Sequence, residues 1–195
     1  MPDLERGGVE SILVTRWTAH DPEAAVAEAI AGPKPEGLVS ASGYAGFDGT
    51  SALVYQQWEG DPGERRAGAV EYRMYRGATR PNPPEVGCVV IVEVEFADGV
   101  DPRTWINLVF DALESDENPA EGGISAHFHV SVDGRRALNY AEWTSEAAHI
   151  AALANSGQGT VGSGEKWLRV KEYPGVIRNG FTRFRPAQEN PEQEI

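Results

Sequence analysis

The sequence holds a single cysteine, Cys88, and no apolar run approaching the roughly 18 residues that a membrane-spanning helix needs. One thiol excludes an internal disulfide. With no second thiol or neighbouring histidine it also lacks metal-ligand spacing, so Cys88 reads as a small buried apolar residue at the start of a strand. Positive charge is scarce too: 17 basic against 30 acidic residues give a net charge of −13, and the lysines and arginines form no basic run. That is the wrong sign for holding phosphates and excludes nucleic acid as a partner. The opening residues MPDLERGGVE carry no apolar core of the kind a signal peptide has, so a cytoplasmic protein without a membrane partner is expected. Nor does any G-x-G-x-x-G stand between a strand and a helix, so no flavin or nicotinamide loop is indicated.

What is present is core-forming material. The chain has 195 residues, 41% of them apolar, enough for one domain or two small ones. Ser11 to Thr18 reads as a strand. Asp21-Pro22 then opens a helix to about Ile30, with Asp as N-cap and Pro at the first helical position. After the loop GPKPEG, Leu38 to Phe47 and Ser51 to Glu59 form a hairpin about Asp48-Gly49. Residues 60–68 hold a turn of helix, and Val70 to Arg76 is another strand. The proline-rich ATRPNPPEVG is a stiff, exposed linker. Beyond it the pattern recurs: a strand from Val89 to Phe96, then a helix opened by Asp101-Pro102. On that helix Trp105, Leu108, Val109, Ala112 and Leu113 fall on one core-facing stripe. A hairpin about Asp133-Gly134 joins strands 123–132 and 135–143. A second helix runs from Ser145 to about Asn155, followed by a Gly-rich loop to 165 and strands or extended chain through 166–185. The acidic tail with Glu189, Glu192 and Glu194 is expected to be disordered.

The halves align at an offset of 85. Glu36-Gly37 falls on Glu121-Gly122, Ser40-Ala41 on Ser125-Ala126, Asp48-Gly49 on Asp133-Gly134, Tyr55 on Tyr140 and Trp58 on Trp143, with ten of 24 positions identical. This predicts an α+β chain of tandem duplicated β-α-β-β-α-β units, the ferredoxin-like arrangement. The expected boundaries are a first unit at 9–78, a linker at 79–86, a second unit at 87–186 and a tail at 187–195. A sheet with helices on one face leaves its other apolar face to be covered, and the natural cover is the other half, giving a pseudo-dimer within one chain.

The second hairpin carries the chemistry. A two-residue turn at Asp133-Gly134 pairs Phe128 with Asn139, Ala126 with Ala141 and Ile124 with Trp143, all on one face. Two alanines beside an amide and an indole leave room for a flat guest, where a plain core strand would carry Val, Ile or Leu. Asn139 is a mid-strand amide that must find partners or face a pocket. Trp143 is either a pocket wall and N–H donor or a structural tryptophan, since Trp58 stands at the same place in the half that has Val54 instead of the Asn. His127 and His129 pair with Tyr140 and Leu138 on the opposite face, and a turn longer by one residue would flip that parity. They read as satisfied histidines between sheets. As metal ligands they lack a third partner at a recognisable spacing, so no metal is expected. His149, one turn into the second helix, faces either the pocket or solvent. Arg178, Arg183 and Arg185 read as a solvated face.

A tandem ferredoxin-like chain with the hairpin HVSVDGRRALNYAEWTSEAAH resembles the antibiotic biosynthesis monooxygenase family, of dimeric α+β barrel fold. More narrowly it resembles the cofactor-free anthrone monooxygenases of aromatic polyketide pathways. The resemblance implies an intrachain dimeric α+β barrel with a pocket between sheet and helices. The family's Asn and Trp, four residues apart on the third strand, match Asn139 and Trp143; its second-strand aromatic matches Phe128 and a neighbouring His matches His129. The family's pocket tyrosine falls at His149, and the Asn often found on its first strand is missing from Val92-Glu93-Val94-Glu95. The candidate catalytic residues are thus Asn139, Trp143, His129 and His149, with Phe128, Ala126, Ala141 and Trp105 lining the substrate.

The implied reaction is oxygenation of a polycyclic phenol or anthrone, an aromatic polyketide, to a quinone with O₂ as co-substrate and no cofactor. At most one competent site is expected per chain, in the second unit, and a homodimer is compatible with it. Two rivals share the fold: a polyketide cyclase using an acid/base histidine, and a non-catalytic protein that binds an intermediate or a partner enzyme. Haem degradation, also known on this fold, fits less well, because those enzymes carry a Trp and a His later on the second helix, where this chain has Ala152 to Ser163.

Overall fold

The computed structural model describes residues 2–63, 65–116 and 119–186. Twelve elements follow in the order β1 (Ser11–Thr18), α1 (Pro22–Ile30), β2 (Leu38–Ala45), β3 (Ser51–Trp58), β4 (Ala69–Thr79), β5 (Cys88–Phe96), α2 (Pro102–Glu114), β6 (Gly123–Ser131), β7 (Arg136–Trp143), α3 (Glu146–Ser156), α4 (Glu165–Lys171) and β8 (Val176–Phe184). The tail at 187–195 lies outside the described residues. No helix among the described residues is long and apolar enough to cross a membrane.

The chain packs as two compact units, one built on the residues up to Met74 with the stretch from Thr182, the other on Tyr75–Phe181. The division falls inside β4 and β8, not in the proline-rich stretch expected to separate the units. In the first unit the strands are ordered β2-β3-β1-β4, and in the second β6-β7-β5-β8 follow the end of β4. Each four-strand set has the order of an α+β ferredoxin-like sheet, and the pairings are antiparallel.

The helices begin where their caps dictate. Asp21 Oδ1 accepts the Ala24 N–H at 3.0 Å and Asp101 Oδ1 the Arg103 N–H at 3.0 Å, each followed by Pro at the first helical position. Ser145 Oγ caps α3 through the Ala148 N–H at 3.1 Å, and Gly157 at φ 63° ends it. In the first unit α1 lies so close to β2 that a Cβ on Gly43 would stand 3.0 Å from Val26 Cβ, so glycine sets that approach. In the second, Ile106, Val109 and Phe110 of α2 pack with Trp167 and Val170 of α4 over Phe128.

Two expectations fail. Residues 60–63 and 65–68 hold no helical turn, so the first unit has no second helix among the described residues. Residues 166–171, expected to be strand or extended chain, belong to α4, which begins at Glu165. Its sequence EKWLRVK is too short to show a helical period, and it sits between a Gly-rich loop and Pro174-Gly175. Tertiary packing decides it: Trp167 and Val170, three apart, bury one face against α2, while Arg169 and Glu165 pair across a turn at 2.5 Å.

The two hairpins keep the offset of 85 in their geometry. Both are irregular at the same place, between Leu38 and Ser40 in β2 and between Gly123 and Ser125 in β6. Ser40 Oγ donates to Gln57 Oε1 at 2.7 Å, and Ser125 Oγ to Glu142 Oε2 at 2.7 Å. Both turns are held by the aspartate. Burial pushes the Asp48 carboxyl up, but hydrogen bonds from Ser51 and Thr50 outweigh it and bring it down to about 2. Asp133 lies below the ordinary range chiefly through the Ser131 hydroxyl.

Because α4 exists only by packing on α2, Trp167→Ala should cost about 3–5 kcal/mol of stability, the range for removing a buried aromatic. Denaturant unfolding measures it; a loss below about 1 kcal/mol would mean that α4 is not docked.

Candidate functional site

The register of β6 and β7 decides which side chains can act together. The turn spans 132–135, longer than two residues, yet Phe128 pairs with Asn139 and Ala126 with Ala141, because the loop adds an even number of residues and keeps the parity. One pair differs from expectation: Trp143 faces Gly123 and not Ile124, since the irregularity at Gly123/Ser125 shifts the strand by one. The shift gives the indole room. A Cβ on Gly123 would meet the Trp143 ring at 3.8–3.9 Å.

Asn139 sits in mid-strand between Phe128 on β6 and Val92 on β5. Its residue is partly buried, and its Oδ1 is fully buried with no hydrogen-bond partner among the described residues. A buried acceptor left unpaired costs roughly 1–3 kcal/mol, which a partner supplied from outside the chain would recover. By alternation Asn139 shares its face with Ala141, Trp143 and Ala137, and Ala137 packs with Phe128 and the α2 residues. The amide therefore points to the helix side of the sheet.

Along that side run two aromatic series. Trp105 stands edge-on to Phe96 at 5.9 Å and to Phe128 at 6.1 Å, and Phe128 to Phe110 at 5.5 Å. Trp105 Nε1 donates to the Val170 carbonyl at 3.1 Å, so its polar end ties α2 to α4 while its ring backs Phe128. In the second series His149, buried on α3, lies edge-on between Trp143 at 4.9 Å and Phe181 at 5.2 Å. Ala126 is half-buried and Ala141 buried opposite it.

The structure thus brings Asn139, Trp143, Phe128, Ala126, Ala141 and His149 to one side of the second unit, with Trp105 behind Phe128. It does not bring His129. That ring is fully buried on the opposite face, its Nδ1 3.3 Å from the Leu138 carbonyl oxygen. Burial, chiefly, pushes the His129 imidazole down to about 4, so it is neutral at physiological pH. His127 is buried on that same face. Among the described residues no group of three or more His, Cys, Asp or Glu stands where it could hold a metal ion. Arg178 is exposed, 3.4 Å from Glu95.

Two contributors escaped sequence reasoning. Phe181 belongs to a strand whose register no turn signal fixes, so its place against His149 could not be read. Arg76, 4.0 Å above the Phe110 ring, extends the first aromatic series, and only the end of β4 entering the second unit puts it there.

No family model and no curated protein matches the sequence. Solved structures do match. An anthrone oxidase-like protein superposes with TM-score 0.70 at 14% identity, over 98% of this chain and 96% of its own. A ferredoxin-fold protein of Listeria monocytogenes, related to antibiotic biosynthesis monooxygenases, gives 0.58 at 13% identity, over 96% and 99%. A heme-degrading enzyme of the same species gives 0.52 at 16%, over 89% and 99%. The class these likenesses define is the α+β ferredoxin-like fold, and at such identities they define the fold alone.

His129 predicts a pH dependence. Its folded-state value, about 4, lies below the ordinary 6.5, so the unfolded chain takes up the proton first. Stability is withdrawn as pH falls from about 6.5 towards 4. Melting temperature recorded from pH 7.5 to 4 should fall over that window, and His129→Leu should flatten the decline there. An unchanged slope in the variant would rule out this source.

Proposed function

We propose that the chain is an oxygenase that converts a polycyclic phenol of anthrone type, an aromatic polyketide intermediate, to a quinone with O₂ alone. The observation that carries this reading is Asn139: an amide on the helix side of the sheet with a buried Oδ1 that none of the described residues satisfies, in line with Trp143. The reading also takes the chain as a tandem duplication closed into an intrachain α+β barrel, cytoplasmic, with the competent site in the second unit. The fold likeness to an anthrone oxidase-like protein supports it.

The chemistry asks little of the protein. An anthrone loses a ring-carbon proton to a base, and the resulting electron-rich anion passes one electron to O₂. The radical pair combines to a peroxide at that carbon. Loss of the second proton from the carbon with cleavage of the O–O bond gives the ketone and water, so one O₂ yields one quinone oxygen and one H₂O. In this reading the Asn139 Nδ2 amide donates to the substrate oxygen and stabilises the enolate, its buried Oδ1 accepts from a substrate hydroxyl, and the Trp143 N–H serves the peroxide. His149 is the base, because it touches Trp143 and His129 lies across the sheet. Phe128, Ala126 and Ala141 form the flat wall, backed by Trp105. Water exclusion protects the anion.

Turnover of anthrone should require air and stop under nitrogen, which separates oxygenation from cyclisation; absence of turnover under both would favour a binding protein. It should survive chelation in flavin-free protein. Asn139→Ala should lower kcat roughly 10²-fold or more, the usual effect of removing a preorganised donor. Val54→Ala, at the equivalent place in the first unit, should cost only about 1–2 kcal/mol of stability and leave kcat intact. Trp143→Phe keeps the wall and deletes the N–H, so kcat should drop while affinity holds. Equal kinetic losses at Asn139 and Val54, or none at either, would remove the catalytic centre from β7.

A further inference from the structure

We infer that the cleft between α3 and the residues Asp116 and 119–122 is the outer part of the same site and that it takes the far rings of an uncharged, flat aromatic ligand in preference to an anionic one. The inference rests on the proposed function for the ligand's inner end. The cleft encloses about 620 Å³, within the roughly 300–1,000 Å³ of small-molecule pockets. It begins where the candidate residues end. Gly122 and Thr144 line it, and each adjoins in sequence a member of the facing pair Gly123 and Trp143. On α3 the lining residues Ala148 and Ala152 flank His149, and Ala152 is shared with the buried face of the helix. At the inner end there is room only for glycine: a Cβ on Gly122 would lie 2.6 Å from Ala148 Cβ and 2.7 Å from Thr144 Oγ1. A larger residue there would push α3 outward, so Gly122 sets the width at which the cleft meets Trp143.

Charge gives the selectivity. Among the described lining residues are two carboxylates, the half-buried Asp116 and the exposed Glu121, and no Lys, Arg or His. The remaining walls are small or neutral, with Val161 and Pro119 apolar and Asn155 polar. A carboxylate, phosphate or sulfate on the ligand therefore meets two like charges and no cationic side chain among the described lining residues. Two like charges about 4 Å apart in water repel by about 1 kcal/mol, close to a fivefold loss of affinity for each carboxylate approached. A neutral fused-ring system meets no such barrier.

The test is binding to the full chain under nitrogen, followed by quenching of tryptophan fluorescence, with anthrone and anthracene-2-carboxylate as probes. Anthrone should bind at least fivefold more tightly. The double variant Asp116→Asn with Glu121→Gln removes both charges, and the new amide oxygen still offers an acceptor to the Trp167 indole, whose Nε1 lies 3.3 Å from Asp116 Oδ2. It should bring the carboxylate within about twofold of anthrone and leave anthrone unchanged. Ala151→Trp, which fills the cleft from an exposed position of α3, should weaken anthrone at least tenfold with an unchanged melting temperature. Asn155→Trp fills the same space from the next turn and decides the matter if the first variant melts early. Wild-type anthrone binding in a folded cleft-filling variant, or an unchanged preference in the neutralised one, overturns the inference. Binding as stated without oxidation in air would uphold the cleft and remove the oxygenase reading. Oxidation unaffected by filling the cleft would do the reverse.

Discussion

The pairing of Phe128 with Asn139 is the contact on which the second unit's candidate site depends. Side chains alternate across a strand, so that one pair fixes the side on which Ala126, Ala141 and Trp143 stand and sends His127 and His129 to the other. Slipping β6 against β7 by one residue would exchange the two sets. Asp133 guards against the slip by binding the Ser131 hydroxyl at 2.6 Å and the Arg135 N–H at 3.0 Å, which locks the loop length.

Upon this register the helices add different things. α2 and α4 supply a dense aromatic core behind Phe128, with the Trp105 indole as the tie between them. α3 supplies His149, which reaches Trp143 and Phe181 from above the sheet. The imidazole is thus flanked by the buried Trp143 indole on one side and the exposed Phe181 ring on the other. The unpaired Oδ1 of Asn139 is a local cost, borne within a unit whose aromatic core is otherwise closely packed.

The first hairpin repeats the backbone plan with different side chains. β2 and β3 keep the irregularity, a cross-strand hydrogen bond from the serine hydroxyl (here to the Gln57 amide oxygen) and the aspartate-held turn. Yet Val54 stands where β7 has Asn139, and Trp58 packs against Leu13 and Leu38 with its Nε1 buried and unpartnered among the described residues. No helix among the described residues lies between β3 and β4, so nothing there corresponds to His149. Oxygenation as proposed uses Asn139, Trp143 and His149 together; of the corresponding positions in the first unit, the described residues keep the indole alone.

Sequence alone was enough for whatever local chemistry dictates. Asp-Pro pairs set the starts of α1 and α2, Asp-Gly pairs placed both hairpins, and alternation with an even loop put Phe128 opposite Asn139. It could not set the pairing at the strand end, where the irregularity turned Trp143 from Ile124 to Gly123, because a bulge leaves no local signal in side-chain pattern. Nor could it reveal α4, whose seven residues are too few to be helical without Trp167 and Val170 buried on α2. The division of β4 and β8 between the two units, and with it the arrival of Arg76 over Phe110 and Phe181 beside His149, was decided by strand pairing between residues far apart in the chain. Such pairings depend on the burial of whole faces, and that is a property of the folded molecule alone.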